Sequence, residues 1–285
     1  MTNAAISSSV SLFLLLATAS STQAADRLLL LASTIGPVEA GIVPLLEDRF
    51  ERETGIRVRH VGAGTGEALK LAEKGTFDLV LVHAKALEEA FVKDGFGTER
   101  IPLMYNDFVI VGPASDPAGA KAAKSAPEAL SKIAQAKALF VSRGDRSGTH
   151  VAEMALWEKA AVKPSGDWYA VYEKGNLGNA ATLEYADQRR AYTVMDRATW
   201  ITLKGKLQLA LLLEKDEALL NYISLIPVDP RRFSTVNHQD AMIFVRWLTA
   251  PEHGQKIIQE FGREKFGTSL FMPNSREWVA QDKGK

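Results

Sequence analysis

The chain has 285 residues, 46% of them apolar and 24% charged, which excludes a disordered or fibrous protein and leaves room for two lobes of about a hundred residues each. Lysine plus arginine equal aspartate plus glutamate at 34 apiece, so no global field favours nucleic acid or an anionic membrane, and any anion selectivity must be local. Cysteine is absent, which removes both a disulfide framework and lipid attachment at a lipobox.

Val10 to Ala17 form an apolar run too short to cross a bilayer, followed by small polar residues and Thr22-Gln23-Ala24. Residues 1–24 therefore read as a cleaved signal peptide, and the mature chain is expected to diffuse in a periplasm. The segment before the apolar run has no lysine or arginine, so an uncleaved hydrophobic tail is the alternative.

Beyond that segment, apolar runs alternate with stretches of helical period, the pattern of βα units and mostly parallel sheets. Leu28 to Ala32 reads as a buried strand, then Ser33, Thr34, Gly36 and Pro37 as a turn. A helix follows with Ile42, Leu45, Leu46 and Phe50 on one face and Gly55 as its terminator. Ile56 to Val61 is a short strand, residues 62–65 a tight turn, Glu67 to Lys74 a helix and Phe77 to Val82 another buried strand. Residues 100–112 are strongly strand-like and lead into a polar loop, Gly112 to Gly119, where the chain is expected to cross between lobes. Ser125 and Glu128 have the spacing of a capping box for a helix reaching about Ala136. Ala138 to Val141 reads as a strand, and Thr149 to Ala160 as a helix with Met154 and Trp157 inward. Gly178 to Gln188 follows as a helix and Ala191 to Met195 as a strand. Leu220 to Pro227 is a second extended run that returns the chain, and residues 238–261 form a helix pair broken near Pro251.

Three loops share one design, in which a buried strand ends, Ser, Thr and Gly follow, and a helix begins. They are residues 33–36, 62–66 and 142–149. A helix start carries unpaired N–H groups and the positive end of the macrodipole, so it accepts an anion without a formal charge. Ser and Thr before a helix are also ordinary caps, and that reading stands beside the first for each loop. The third loop adds Arg143 and Arg146 around Asp145. An arginine fork matches a multi-oxygen anion, and either arginine paired to Asp145 in solvent is the plainer alternative. Neither glycine loop has the Gly-Lys-Ser/Thr of a nucleotide-binding P-loop. His150 and Glu153 stand three apart on one predicted helix; without a second such pair they read as a helix-surface pair rather than a metal site. Trp168, Tyr169 and Tyr172 read as a half-buried strand.

The chain resembles the tungstate-binding components of Tup-type ABC importers, within the type II periplasmic binding proteins. The resemblance runs from Leu28 to about Met272. Its strongest parts are residues 61–66, residues 104–113 (MYNDFVIVGP) and Ser142-Arg143-Gly144-Asp145 with Ser147-Gly148-Thr149-His150, echoed by residues 196–199 and 226–228. It implies a two-lobed α/β fold with two crossover strands, residues 27–108 and 222–285 forming the first lobe and 109–221 the second. It implies that Ser33, Thr34, Thr65, Arg143, Ser147, Gly148 and Thr149 donate to a tetrahedral oxyanion, tungstate or molybdate, and that Asp107 is a hinge or strand-end residue rather than a ligand. No cofactor and no separately bound metal are implied. The implied partners are a permease with its ATPase, and the binding protein itself is expected to be a monomer.

Here Ile35, Gly36 and Pro37 stand where the family continues a run of Thr and Ser, Met195 where a threonine is usual, and Arg146 where an acidic residue is common. The site thus leans more on charge than on neutral donors. Phosphate remains an alternative ligand, with Asp145 as acceptor for its proton. A small organic solute, or an enzyme on the same fold, would need aromatic walls or an acid–base set, and the loops offer mainly donors.

Overall fold

The computed structural model describes Met1 and residues 27–282; the signal-peptide reading lies on residues outside that range. β1 (Leu28–Thr34) pairs in parallel with β2 (Arg57–Ala63) and β3 (Leu79–Val82), and α1 (Ile35–Glu39), α2 (Ile42–Thr54), α3 (Thr65–Ala72) and α4 (Lys85–Lys93) follow these strands. Both faces of this sheet are covered, which explains the unbroken apolar runs. Leu29 and Leu31 face Leu46, Phe50 and Phe244, whereas Ala32, on the opposite pleat, faces Leu69 and Ile226.

β4 (Ile101–Pro113) is the spine of the molecule. After it come α5 (Ala126–Gln135), β5 (Phe140–Ser142), α6 (Gly148–Lys159), β6 (Tyr169–Val171), α7 (Asn179–Gln188), β7 (Thr193–Asp196), α8 (Arg197–Leu203) and β8 (Leu209–Leu213). β9 (Leu220–Pro227) returns the chain, followed by α9 (His238–Thr249), α10 (Lys256–Glu260), α11 (Arg263–Phe266), β10 (Met272–Pro273) and α12 (Arg276–Asp282). Residues Ile101–Asp107 of β4 pair with β9, which in turn pairs with β3, so this half belongs to the first sheet. Residues Phe108–Pro113 pair with β7 and β8 instead. Phe108 and Ile110 enter a core with Leu130, Phe140 and Trp157, and Val109 and Val111 enter one with Leu183 and Met195. The fold is therefore two-lobed, with β4 and β9 as the connecting strands.

The exchange of ladder partners falls inside β4, at Asp107–Phe108, and not in the Gly112–Gly119 loop; an extended strand makes such an exchange without exposing its backbone. The 112–119 loop sits within the second lobe, where the Asp116 carboxylate accepts from the Tyr192 hydroxyl and the Ala120 N–H, each at 2.9 Å. Where the partners change, Asn221 Nδ2 donates to Asn106 Oδ1 (2.7 Å), and Arg197 forks onto Asp107 at 2.7 and 2.5 Å.

Most predicted elements form within two or three residues of expectation, and the chemistry at their ends is as read. Gly55, at φ +72°, closes α2 through its N–H to Glu51 O at 2.8 Å. Ser125 Oγ accepts from Glu128 N–H (3.3 Å), but the Glu128 carboxylate reaches back to Lys124 N–H (2.9 Å) rather than to the cap residue. Ser125→Ala is expected to lower stability by about 1 kcal/mol, measurable by denaturant unfolding. In α6 Trp157 is fully buried as expected, but Met154 is 41% exposed. The inward position is held by Glu153, which an apolar-periodicity reading places on the surface.

Candidate functional site

Between the lobes lies a chamber of about 40 Å³. A buried water needs roughly 10–15 Å³ by this measure, so the chamber has room for a small oxyanion; it shares Gly36, Ala40, Asn179 and Asp196 with a neighbouring cavity of about 1030 Å³. Its first-lobe wall comes from the carboxyl ends of β1, β2 and β3, its second-lobe wall from the loop after β5 and the starts of α6 and α7. This is where open α/β sheets place ligands. α1, α3 and α7 begin without a side-chain cap, whereas in α6 Ser147 Oγ accepts from His150 N–H at 3.5 Å. Uncapped N–H groups retain their capacity for an incoming acceptor.

Two side chains in the wall carry most of its chemistry. Thr34 Oγ1 is buried with no hydrogen-bond partner among the described residues. A buried hydroxyl left unmatched costs about 1–3 kcal/mol, so an acceptor oxygen reaching it relieves that cost. Arg143, 5% exposed, is fixed from three sides. Its Nε donates to Gly175 O (3.0 Å) and pairs with Asp145 Oδ2 (3.0 Å), while Nη1 donates to Asn179 Oδ1 (2.5 Å). Gly175 has to be glycine, since a Cβ there would lie 1.9 Å from Arg143 O.

Asn179 ties the second-lobe wall together. Its Oδ1 also accepts from Thr149 Oγ1 (2.9 Å), and its Nδ2 donates to Asp196 Oδ2 (2.7 Å), which settles the amide orientation. Asp196 caps α8 through Thr199 N–H at 2.9 Å. Burial raises the Asp196 carboxyl above its usual range against the pull of these donors and of Arg143. Glu39 is raised in the same way, first by burial and with Arg143 opposing.

Of the seven residues named from sequence, Thr34, Arg143, Ser147, Gly148 and Thr149 line the chamber. Ser33 and Thr65 stand behind it. The Ser33 hydroxyl donates to Thr34 O (3.1 Å), and the Thr65 hydroxyl donates to His83 O (2.6 Å) while its own helix start faces the chamber loop. Asn179, Asp196, His83 and the hinge pair Asn106 and Asn221 also line the wall and were not singled out. The available signal was position, since Asn179 and Asp196 open helices and His83 ends a buried strand.

Arg146 adopts φ +62° outside the chamber wall, and its N–H donates to His150 Nδ1 at 2.9 Å. The His150–Glu153 surface pair is corrected. Glu153 is 2% exposed and accepts from Ser142 Oγ (2.7 Å), Trp157 Nε1 (3.1 Å) and Tyr169 Oη (2.7 Å). No group of three metal-ligating side chains exists among the described residues. Trp168 and Tyr169 pack on Trp157, and Tyr172 stacks on Tyr185 at 4.3 Å, so these aromatics serve the second lobe and not the chamber.

The sequence model of the PBP superfamily domain matches residues 17–252. The tungstate-binding protein TupA of Peptoclostridium acidaminophilum is 41% identical over 251 residues, 87% of this chain and 86% of that protein. The chain belongs to the TupA family of periplasmic binding proteins. Among solved structures, the tungstate-binding TupA of Desulfovibrio alaskensis G20 is 41% identical with a TM-score of 0.78, covering 88% of this chain and 100% of that one. The tungstate ABC transporter protein of Geobacter sulfurreducens is 42% identical with a TM-score of 0.72, covering 82% and 98%. The family expected from the loop motifs is thus the family found, and the two-lobed fold follows it. No helix among the described residues is long and apolar enough to cross a membrane.

Proposed function

We propose that this chain captures tungstate, with molybdate as a second ligand, in the chamber between its lobes and delivers it to an ABC permease with its ATPase. The carrying observation is the convergence of the unpartnered Thr34 hydroxyl and the buried Arg143 on a chamber of about 40 Å³ ringed by helix starts. Thr34, Arg143, Ser147, Gly148 and Thr149 hold the anion, and Ser33 and Thr65 fix the loops that carry them. The lobes comprise residues 27–108 with 222–285, and 109–221. Because the donors sit on both lobes, the dianion favours the closed form, where all of them reach it. The protein acts as a periplasmic monomer exported by its N-terminal signal, and performs no catalysis.

Sulfate is discriminated by size, being the smaller tetrahedral dianion. Phosphate needs an acceptor for its proton at neutral pH. Asp145 spends its carboxylate on Arg143 and on Ser147 N–H (3.0 Å), which disfavours that ligand. The test is thermal unfolding of the mature protein with tungstate, molybdate, sulfate and phosphate in turn. A ligand at a hundred times its dissociation constant adds about 2.7 kcal/mol. Tungstate and molybdate are expected to raise Tm at micromolar concentration and the other two not; no shift with any of the four rules out the oxyanion reading.

A further inference from the structure

His83 follows β3 at its carboxyl end, and its carbonyl is held by the Thr65 hydroxyl at 2.6 Å. The next residue, Ala84, adopts φ +138°, ψ +82°, a conformation an L residue holds only when its surroundings impose it. The imidazole lies in the wall of the chamber and of a neighbouring cleft of about 480 Å³, which also share Phe108, Gly148 and Asn221. It lies flush on Gly148 of the opposite lobe, where a Cβ would come within 2.1 Å of Cε1 and 2.3 Å of Nε2. Neither ring nitrogen has a hydrogen-bond partner among the described residues. The ring is half-buried, so both nitrogens remain free to meet an incoming group.

Building on the oxyanion reading, we propose that His83 is a specificity-determining residue of the chamber: its ring, seated on Gly148 in the wall between chamber and cleft, donates N–H to the bound dianion and takes up a proton as the anion enters. The group is suited to that exchange. Burial pushes the imidazole down to about 4, so it is neutral at neutral pH before the ligand arrives, and an adjacent dianion pulls in the opposite sense. The charged and titratable groups that share its two cavities are Arg143 and Asp196 on the chamber side, and Lys85, Lys159, Tyr222 and Arg100, the last paired with Glu88, on the cleft side. Of these only Asp196 has a carboxyl raised toward neutrality without a salt-bridge partner, and it belongs to the opposite wall. The proton makes capture respond to pH and adds a second cation to Arg143 only when a doubly charged ligand is present, which disfavours singly charged anions.

The experiment is calorimetric titration of the mature protein with sodium tungstate between about pH 6 and 8, in buffers of different ionisation enthalpy, for wild type and His83→Gln. Gln retains an N–H donor and does not titrate. Wild type is expected to take up close to one proton per tungstate at the acid end, with affinity rising by up to about tenfold per unit fall in pH. His83→Gln is expected to bind at pH 8 within about tenfold of wild type, with the proton uptake and the slope lost. Should the variant misfold, the ¹⁵N shifts of the wild-type His83 ring report the same event, moving to imidazolium values on tungstate addition. Binding without proton uptake, an unchanged slope in His83→Gln, or a ring that stays neutral overturns the proposal while leaving tungstate capture intact. A wild type silent to every oxyanion overturns both.

Discussion

Arg143→Ala is expected to weaken tungstate binding by roughly two to three orders of magnitude, within the ~2–5 kcal/mol that truncating one partner of a buried, hydrogen-bonded charge pair costs. The guanidinium is the one cation in the chamber wall, and it is fixed by Gly175 O, Asp145 and Asn179 before any ligand arrives. A group so held loses little further freedom on binding. The substitution also strips Asp145 and Asn179 of a partner, so the ligand-free variant unfolds at lower temperature than wild type. The measurement is therefore the tungstate-induced rise in Tm relative to each protein's own baseline. Arg143→Lys keeps the charge but not the planar fork, and is expected to fall between the two. A full wild-type rise in Arg143→Ala would remove this residue from the site.

The second large effect is a pH dependence seated beneath the same loop. Glu153 is buried under Ser142, the residue before Arg143, and burial lifts its carboxyl to about 7 although four donors, the Tyr169, Ser142 and Trp157 side chains and the Arg143 backbone, oppose it. Between about 4.5 and 7 the unfolded chain has released this proton and the folded protein keeps it. Stability therefore falls as pH rises through that window, is full below it and changes no further above it. Moving this carboxyl from 4.5 to about 7 corresponds to on the order of 3 kcal/mol. Glu153→Gln is expected to abolish this slope and to be the more stable protein at pH 8. Its carbonyl takes the place of Oε1 before Trp157 and Tyr169, and its NH₂ faces the Ser142 hydroxyl, which is able to accept. Urea unfolding of the ligand-free protein at pH 5, 6, 7 and 8 reads the difference; parallel curves would mean that Glu153 is ionised in the fold.

Much of the site was legible because its parts are local. A strand ending in Ser, Thr and Gly and running straight into a helix is visible without knowing where it lies in space, and three such loops suffice to suggest an oxyanion. The first departs locally from expectation. Thr34 is followed at once by the five-residue α1, and Ile35 caps Gly62 with its side chain, where a Cβ would lie 2.8 Å from Ile35 Cδ1. The apolar residue that replaces a hydroxyl thus packs the first-lobe wall. The reading of Met154 as inward and Glu153 as outward failed for a different reason. Hydrophobic periodicity assigns a carboxylate to solvent, and only the convergence of Ser142, Trp157 and Tyr169 from three separate elements makes burial tolerable.

By itself the sequence determined the α/β alternation, the strand and helix ends and the three helix-start loops, which depend on backbone chemistry and side-chain period within windows of a dozen residues. The family, and the chamber residues Thr34, Arg143, Ser147, Gly148 and Thr149, came with the resemblance of its longer motifs. The tertiary structure decided everything that needs two distant segments to meet. It left Arg146 outside the chamber, set Ser33 and Thr65 behind the wall, and placed the exchange of ladder partners at Asp107–Phe108 rather than in the 112–119 loop. It also brought Asn179, Asp196 and His83 to a chamber none of them announces. Their roles are fixed by partners tens of residues away in the chain, and no local pattern encodes which buried donor will face which acceptor.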